Sequence, residues 1–166
     1  MFGDLFGILR RKKTPTEPDL KTGLEVLKKV NRSSDTELKN IVQPLVSSGN
    51  MSEIQKKKAT EALKNLAKFV FKSENKPIKN AIEQAESLPE SKLNQAVDIM
   101  RKEKDPTASG KITKNDIKSI RLWMSNEFKS VALFYLLPPL ETQLNKIPTV
   151  IKALSTILAR VEEKLQ

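Results

Sequence analysis

The chain is 166 residues long and sets 30 Lys and Arg against 20 Asp and Glu, a formal charge of +10, with no histidine and no cysteine. Lacking histidine, it has no side chain whose ordinary pKa lies near neutrality; lacking cysteine as well, it has no thiolate, no disulfide and no Cys or His to ligate zinc or haem. An apolar fraction of 38% and only five glycines argue against a sheet buried on both faces and against glycine-rich phosphate loops, and suit amphipathic helices with wide solvated faces.

Residues 1–19 read as a separate unit, a flexible basic arm. Phe2, Leu5, Phe6 and Leu9 share one face if this stretch is helical, and Arg10, Arg11, Lys12 and Lys13 follow at once. That order suits an amphipathic segment that inserts at an anionic membrane surface or docks into a partner's groove. It is the reverse of a secretory signal, in which the basic residues come first. Pro15 and Pro18 then suppress helix and predict a linker.

From Leu20 the apolar period is helical. Leu20, Leu24, Leu27 and Val30 predict a short first helix, and Ser34 with Glu37 forms a capping-box pattern for a second. Leu38, Ile41, Val42 and Leu45 continue its apolar stripe. Pro44 predicts a kink or an early end to that second helix, and Gly49-Asn50 a break. Ser52 with Gln55 opens a third helix to about Lys72, whose apolar arc is Ala59, Ala62, Leu63, Leu66, Phe69 and Val70. Steps of about 100° per residue place Lys57, Lys58, Lys64, Lys68 and Lys72 together opposite that arc, with Glu61 diluting them. Pro77 and Pro89 each mark a helix start. The two helices over 76–104 allow a helix-turn-helix, but the second is nearly neutral and poorly suited to a major groove.

The stretch from Asp105 to Asp116 is the clearest internal loop. Asp105, Thr107, Ser109, Gly110, Ile112 and Asp116 fall where an EF-hand loop places its ligands, its glycine and an aliphatic residue. Two carboxylates are replaced by hydroxyls, the bidentate Glu by Asp, and Lys111 and Lys114 add positive charge. No second such loop exists, so a plain capped connection is expected, with no metal site and no cofactor. Thr113 and Asp116 cap a long helix running toward Tyr135, which Pro138-Pro139 stops.

Beyond it Leu140, Leu144, Ile147, Ile151, Leu154, Leu158, Val161 and Leu165 repeat at alternating spacings of four and three. This heptad stripe predicts a C-terminal helix kinked at Pro148, or two helices sharing one face, packed into its own bundle or paired with a second copy as a coiled coil.

The expected fold is all-α: one helical bundle of five to seven helices over 20–166 behind the basic arm. The expected function is non-enzymatic. The chain should bind an anionic polymer, nucleic acid by preference, through phosphate contacts from Arg10–Lys13 and the lysines of the third helix, with self-assembly through the C-terminal seam. The competing reading is a peripheral membrane or protein-docking adaptor held by residues 1–13. No apolar run reaches the length of a membrane span, and an intracellular, cytoplasmic location is expected.

Overall fold

The computed structural model describes the backbone of residues 17–46, 52–131 and 146–165, and the side chains of residues 19–40, 52–128 and 146–165. Over these residues the chain is a helical bundle. Its seven described helices are α1 (Glu17–Arg32), α2 (Asp35–Val46), α3 (Glu53–Phe71), α4 (Lys76–Glu83), α5 (Glu90–Lys104), α6 (Lys114–Val131) and α7 (Ile147–Glu162).

Local chemistry accounts for most boundaries. Ser52 and Gln55 cap α3 reciprocally: the Gln55 amide donates to Ser52 Oγ at 3.2 Å and the Ser52 amide to Gln55 Oε1 at 3.0 Å. Ser34 begins α2 by accepting from the Glu37 amide, while its hydroxyl donates to the Glu37 carboxylate, both at 3.3 Å. At the start of α6 the Asp116 amide donates to Thr113 Oγ1 at 3.2 Å, and Asp116 Oδ2 accepts from the Thr113 amide at 2.8 Å. These contacts satisfy amides that a helix start leaves without partners.

Two proline expectations need correction, for one reason. Helix α1 already begins at Glu17, so Pro18 lies in its first turn instead of in a linker reaching residue 19. Pro148 likewise sits in the first turn of α7, so it does not kink a longer helix there. A proline's missing N–H costs nothing in a first turn, where no intrahelical acceptor exists.

Helices α3 and α7 are the two hubs. Helix α3 packs against α1, α2, α4 and α6, and α7 packs against α1, α4, α5 and α6, so α1, α4 and α6 each bridge the hubs. The apolar arc of α3 is buried as predicted, Ala59, Ala62, Leu63, Leu66, Phe69 and Val70 together with Ala67. From α7 come Ile147, Val150, Leu154, Ile157, Leu158 and Val161. Fully burying a Val, Leu, Ile or Phe side chain contributes about 1.5–3 kcal/mol relative to exposure.

Gly23 sets how closely α1 approaches α7. A Cβ there would lie 2.7 Å from the Lys146 carbonyl oxygen and 2.9 Å from Val150 Cγ2. Backbone therefore meets backbone, and Lys146 Nζ adds an ion pair to Asp19 at 2.9 Å beside the same junction.

The end of α3 is closed by asparagines. Asn75 is buried, and its amide nitrogen donates to the Phe69 carbonyl at 2.7 Å, while Asn31 of α1 donates to the Phe71 carbonyl at 3.2 Å. Two of the carbonyls that a helix end leaves open are thus satisfied by side chains. Asn75 Oδ1 is buried with no partner among the described residues.

Candidate anion-binding site

The lysines expected on α3 do lie on its outer side, but they are not equivalent. Lys57, Lys58 and Lys68 are exposed and pair with no described carboxylate. Lys64 is half-buried and pairs with Asp35 at the start of α2. Lys72 is held by Glu103 at 3.2 Å and lies 4.0 Å from Glu74. Helix arithmetic places residues of one helix and does not show the carboxylates that α2 and α5 bring to Lys64 and Lys72.

The same convergence adds a cation. The Asp35 carboxyl is held below its ordinary pKa first by the Lys64 hydrogen bond and charge, with Lys39 and Lys68 contributing as well. One lysine of α3 thus touches this carboxylate, and a lysine of α2 and another of α3 add their charge to it. Lys39 gave no signal in the sequence, since nothing local shows that α2 lies beside this part of α3.

Several expected residues fall elsewhere. Phe2, Leu5, Phe6, Leu9, Arg10, Arg11, Lys12 and Lys13 lie outside the described residues, as do Leu140 and Leu144. The described part of the heptad stripe turns inward: Ile147, Leu154, Leu158 and Val161 are buried, and Ile151 and Leu165 pack half-buried against the same core. A second copy could reach the four buried ones only by displacing α1, α4, α5 or α6, so the described part of the stripe mainly faces the chain's own core.

The Asp105–Asp116 loop already holds a cation, and it belongs to the chain. Arg101, only 5% exposed, reaches under the loop from the last turn of α5. Its guanidinium donates to the Gly110 carbonyl at 2.8 Å, the Lys111 carbonyl at 3.1 Å, Asp116 Oδ2 at 3.3 Å and Asp98. Gly110 takes the one positive φ among the described residues, 76°, which turns the loop toward this donor. Burial works against the charge, but hydrogen bonds to Asp98 and Asp116 outweigh it and raise the Arg101 pKa. Both carboxyls are held below their ordinary values against the opposing effect of burial, Asp98 by Lys102 and Arg101, Asp116 by Thr113 and Arg101. Asp105 turns away and accepts from the Thr107 amide at 3.1 Å. Of the oxygens that suggested a calcium loop, Asp116 serves the guanidinium and the cap of α6, and Asp105 and Thr107 a local turn.

The single tryptophan is committed to packing. Trp123 of α6 lies 4.4 Å from Phe69 of α3, centroid to centroid, and Lys104 Nζ sits 4.7 Å above its ring. Desolvation at this spot lowers the Lys104 pKa, and desolvation raises that of Glu127 nearby. This is a cation–π contact that covers the α3–α6 seam, with the ring face unavailable to a stacked base.

A second basic region was not expected. Lys111, Lys114 and Lys164 line a half-open cleft of about 470 Å³, with Ile112, Thr113, Asn115 and Leu165. No acidic residue is in its wall. Lys164 stands fifty positions from Lys114, and only the packing of α7 on α6 brings them together.

Among the described residues no three acidic side chains are grouped to hold a metal ion, and no helix is long and apolar enough to cross a membrane. No protein-family model, curated protein or solved structure matches the sequence.

Proposed function

We propose that this protein is a non-enzymatic binder of nucleic acid that grips phosphates through lysines of α3 and the adjoining part of α2. The observation that supports this reading is the lysine surplus around Asp35: Lys39, Lys64 and Lys68 face one carboxylate, and Lys57 and Lys58 stand exposed without a described acidic partner. At 1.5 Å per residue the span from Lys57 to Lys68 is about 16 Å, long enough to contact several successive phosphates. Such contacts are indifferent to base sequence and sensitive to salt, which suits a face that carries no stacking aromatic and no bidentate arginine.

The test is a duplex DNA titration at two or more salt concentrations with the full chain and with K39Q/K57Q/K58Q/K68Q. The variant should bind more weakly, and its log–log salt slope should flatten by about 0.9 for each phosphate no longer neutralised. Unchanged affinity and slope would assign these lysines to solubility alone. Liposome flotation of the full chain and of a chain lacking residues 1–13 runs alongside. Vesicle binding that vanishes with the deletion, while DNA binding is absent, would replace this reading with the membrane-docking one.

A further inference from the structure

The cleft between the α5–α6 loop and the end of α7 differs from the α3 face in form as well as in charge. Its cations come from separate elements, Lys111 from the loop, Lys114 from α6 and Lys164 from the residues just after α7, and they border a concave space. Lys111 and Lys114 have no ion pair among the described residues. Lys164 pairs with Glu90 at 3.4 Å, both side chains more than half exposed. Exposed pairs of that kind are weak, so the Lys164 ammonium is free to turn to a stronger anion.

The wall bearing two of these lysines is held from beneath. Arg101 fixes the carbonyls of Gly110 and Lys111 and the carboxylate of Asp116, so the stretch between α5 and the first turn of α6 is tied at three points to a buried charge. Burying a guanidinium is costly unless it is paired and hydrogen-bonded, as this one is by two carbonyls and two carboxylates. The anchor gives the lysine-bearing loop one fixed shape, as a binding wall requires.

From this geometry we infer that the cleft binds a phosphomonoester, and, if the chain binds nucleic acid as proposed above, the terminal phosphate of a strand. A phosphomonoester carries close to two charges at neutral pH and three acceptor oxygens, against one charge for each internal phosphodiester. Three lysines lining one space, with no carboxylate among the lining residues, suit the former. About 470 Å³ lies within the range of small-ligand sites and exceeds a bare phosphate. Ile112 and Leu165 supply apolar wall for whatever the phosphate is attached to, and the Asn115 side chain adds a hydrogen-bonding group.

The experiment compares binding of the full chain to a single-stranded oligonucleotide carrying either a 5′-phosphate or a 5′-hydroxyl. The phosphorylated strand should bind at least about tenfold more tightly, the scale of one or more charge-assisted hydrogen bonds. In K111Q/K114Q/K164Q that preference should disappear while the hydroxyl strand binds as before. In K57Q/K58Q/K68Q both strands should weaken and the ratio should persist. Equal binding of the two strands by the unaltered chain overturns the inference and leaves nucleic-acid binding standing, and so does a preference that survives the triple cleft change. If neither strand binds, calorimetry with adenosine 5′-monophosphate, against adenosine as control, separates the two ideas. Nucleotide binding that K111Q/K114Q/K164Q abolishes upholds the cleft, and absence of nucleotide binding overturns it; the nucleic-acid reading is decided separately by the duplex titration. The three cleft lysines are exposed, and thermal melts of the variant should match those of the unaltered chain.

Discussion

The guanidinium of Arg101 lies beneath the α5–α6 loop with a carboxylate on either side, whereas Lys57, Lys58 and Lys68 project from α3 into solvent and pair with no described carboxylate. The charges have the same sign and opposite consequences. A buried cation must be surrounded by oxygen or it destabilises the fold, so its partners are chosen by the protein and are already in place. An exposed cation is stabilised by water and adds little to stability, so its partner remains to be chosen by whatever arrives. Position relative to the core, more than residue type, separates the charge that shapes the molecule from the charge available for binding.

The largest effect should come from breaking the buried side of this contrast. Arg101→Met keeps the aliphatic stem but leaves two loop carbonyls without a donor and removes a cation from Asp98 and Asp116. Breaking a buried pair costs about 3–5 kcal/mol; both carboxylates here retain other partners and some exposure, so urea unfolding should show a loss near the lower figure. Arg101→Lys should not restore it, because one ammonium cannot fork to two carbonyls and two carboxylates. A loss under about 1 kcal/mol in Arg101→Met would show that the loop does not depend on this anchor.

Gly23→Ala separates packing from charge and should rank second. Helix propensity alone favours alanine by about 1 kcal/mol at a mid-helix position. The added methyl would meet the Lys146 carbonyl at 2.7 Å, a backbone atom that cannot turn aside. Overpacking of this kind costs typically about 1–3 kcal/mol, so a net decrease in thermal stability is expected. An increase would mean that α1 and α7 separate easily.

Acid should act chiefly on the buried side. Asp98 and Asp116 have folded pKa values below their ordinary value of 3.8. A carboxylate depressed on folding contributes stability that is whole above its unfolded pKa and is lost as pH falls through the folded value. Stability of the unaltered chain should therefore decline below about pH 4, and Arg101→Met should decline less over the same interval. Parallel decline in the two proteins would remove Arg101 as the cause.

The smallest effect on stability should come from the exposed side. The K57Q/K58Q/K68Q chain should unfold within about 0.5 kcal/mol of the unaltered one, since surface substitutions away from caps and buried networks rarely do more. A larger loss would mean that these lysines hold the fold together and are not reserved for a partner.

The same contrast explains which features were legible in the sequence. The caps at Ser52–Gln55 and Thr113–Asp116 and the apolar arc of α3 were, because each depends on one helix and its period. Arg101 was not, since an arginine in the last turn of a helix is already suited to that helix's dipole and suggests nothing more. The C-terminal stripe shows itself as apolar and helical, but its period is the same whether it faces a second copy or its own bundle. Lys39 and Lys164 were invisible as site residues because their neighbours there lie on other helices.

The helical class, most helix starts, the apolar face of α3 and the surplus of positive charge were readable along the chain, because each arises from interactions within a few residues. Which lysines meet carboxylates, that the described heptad positions pack inward, that an arginine fills the loop and that a lysine cleft exists came only with the packing. Those outcomes depend on contacts between helices, and the helical period does not specify which helices become neighbours.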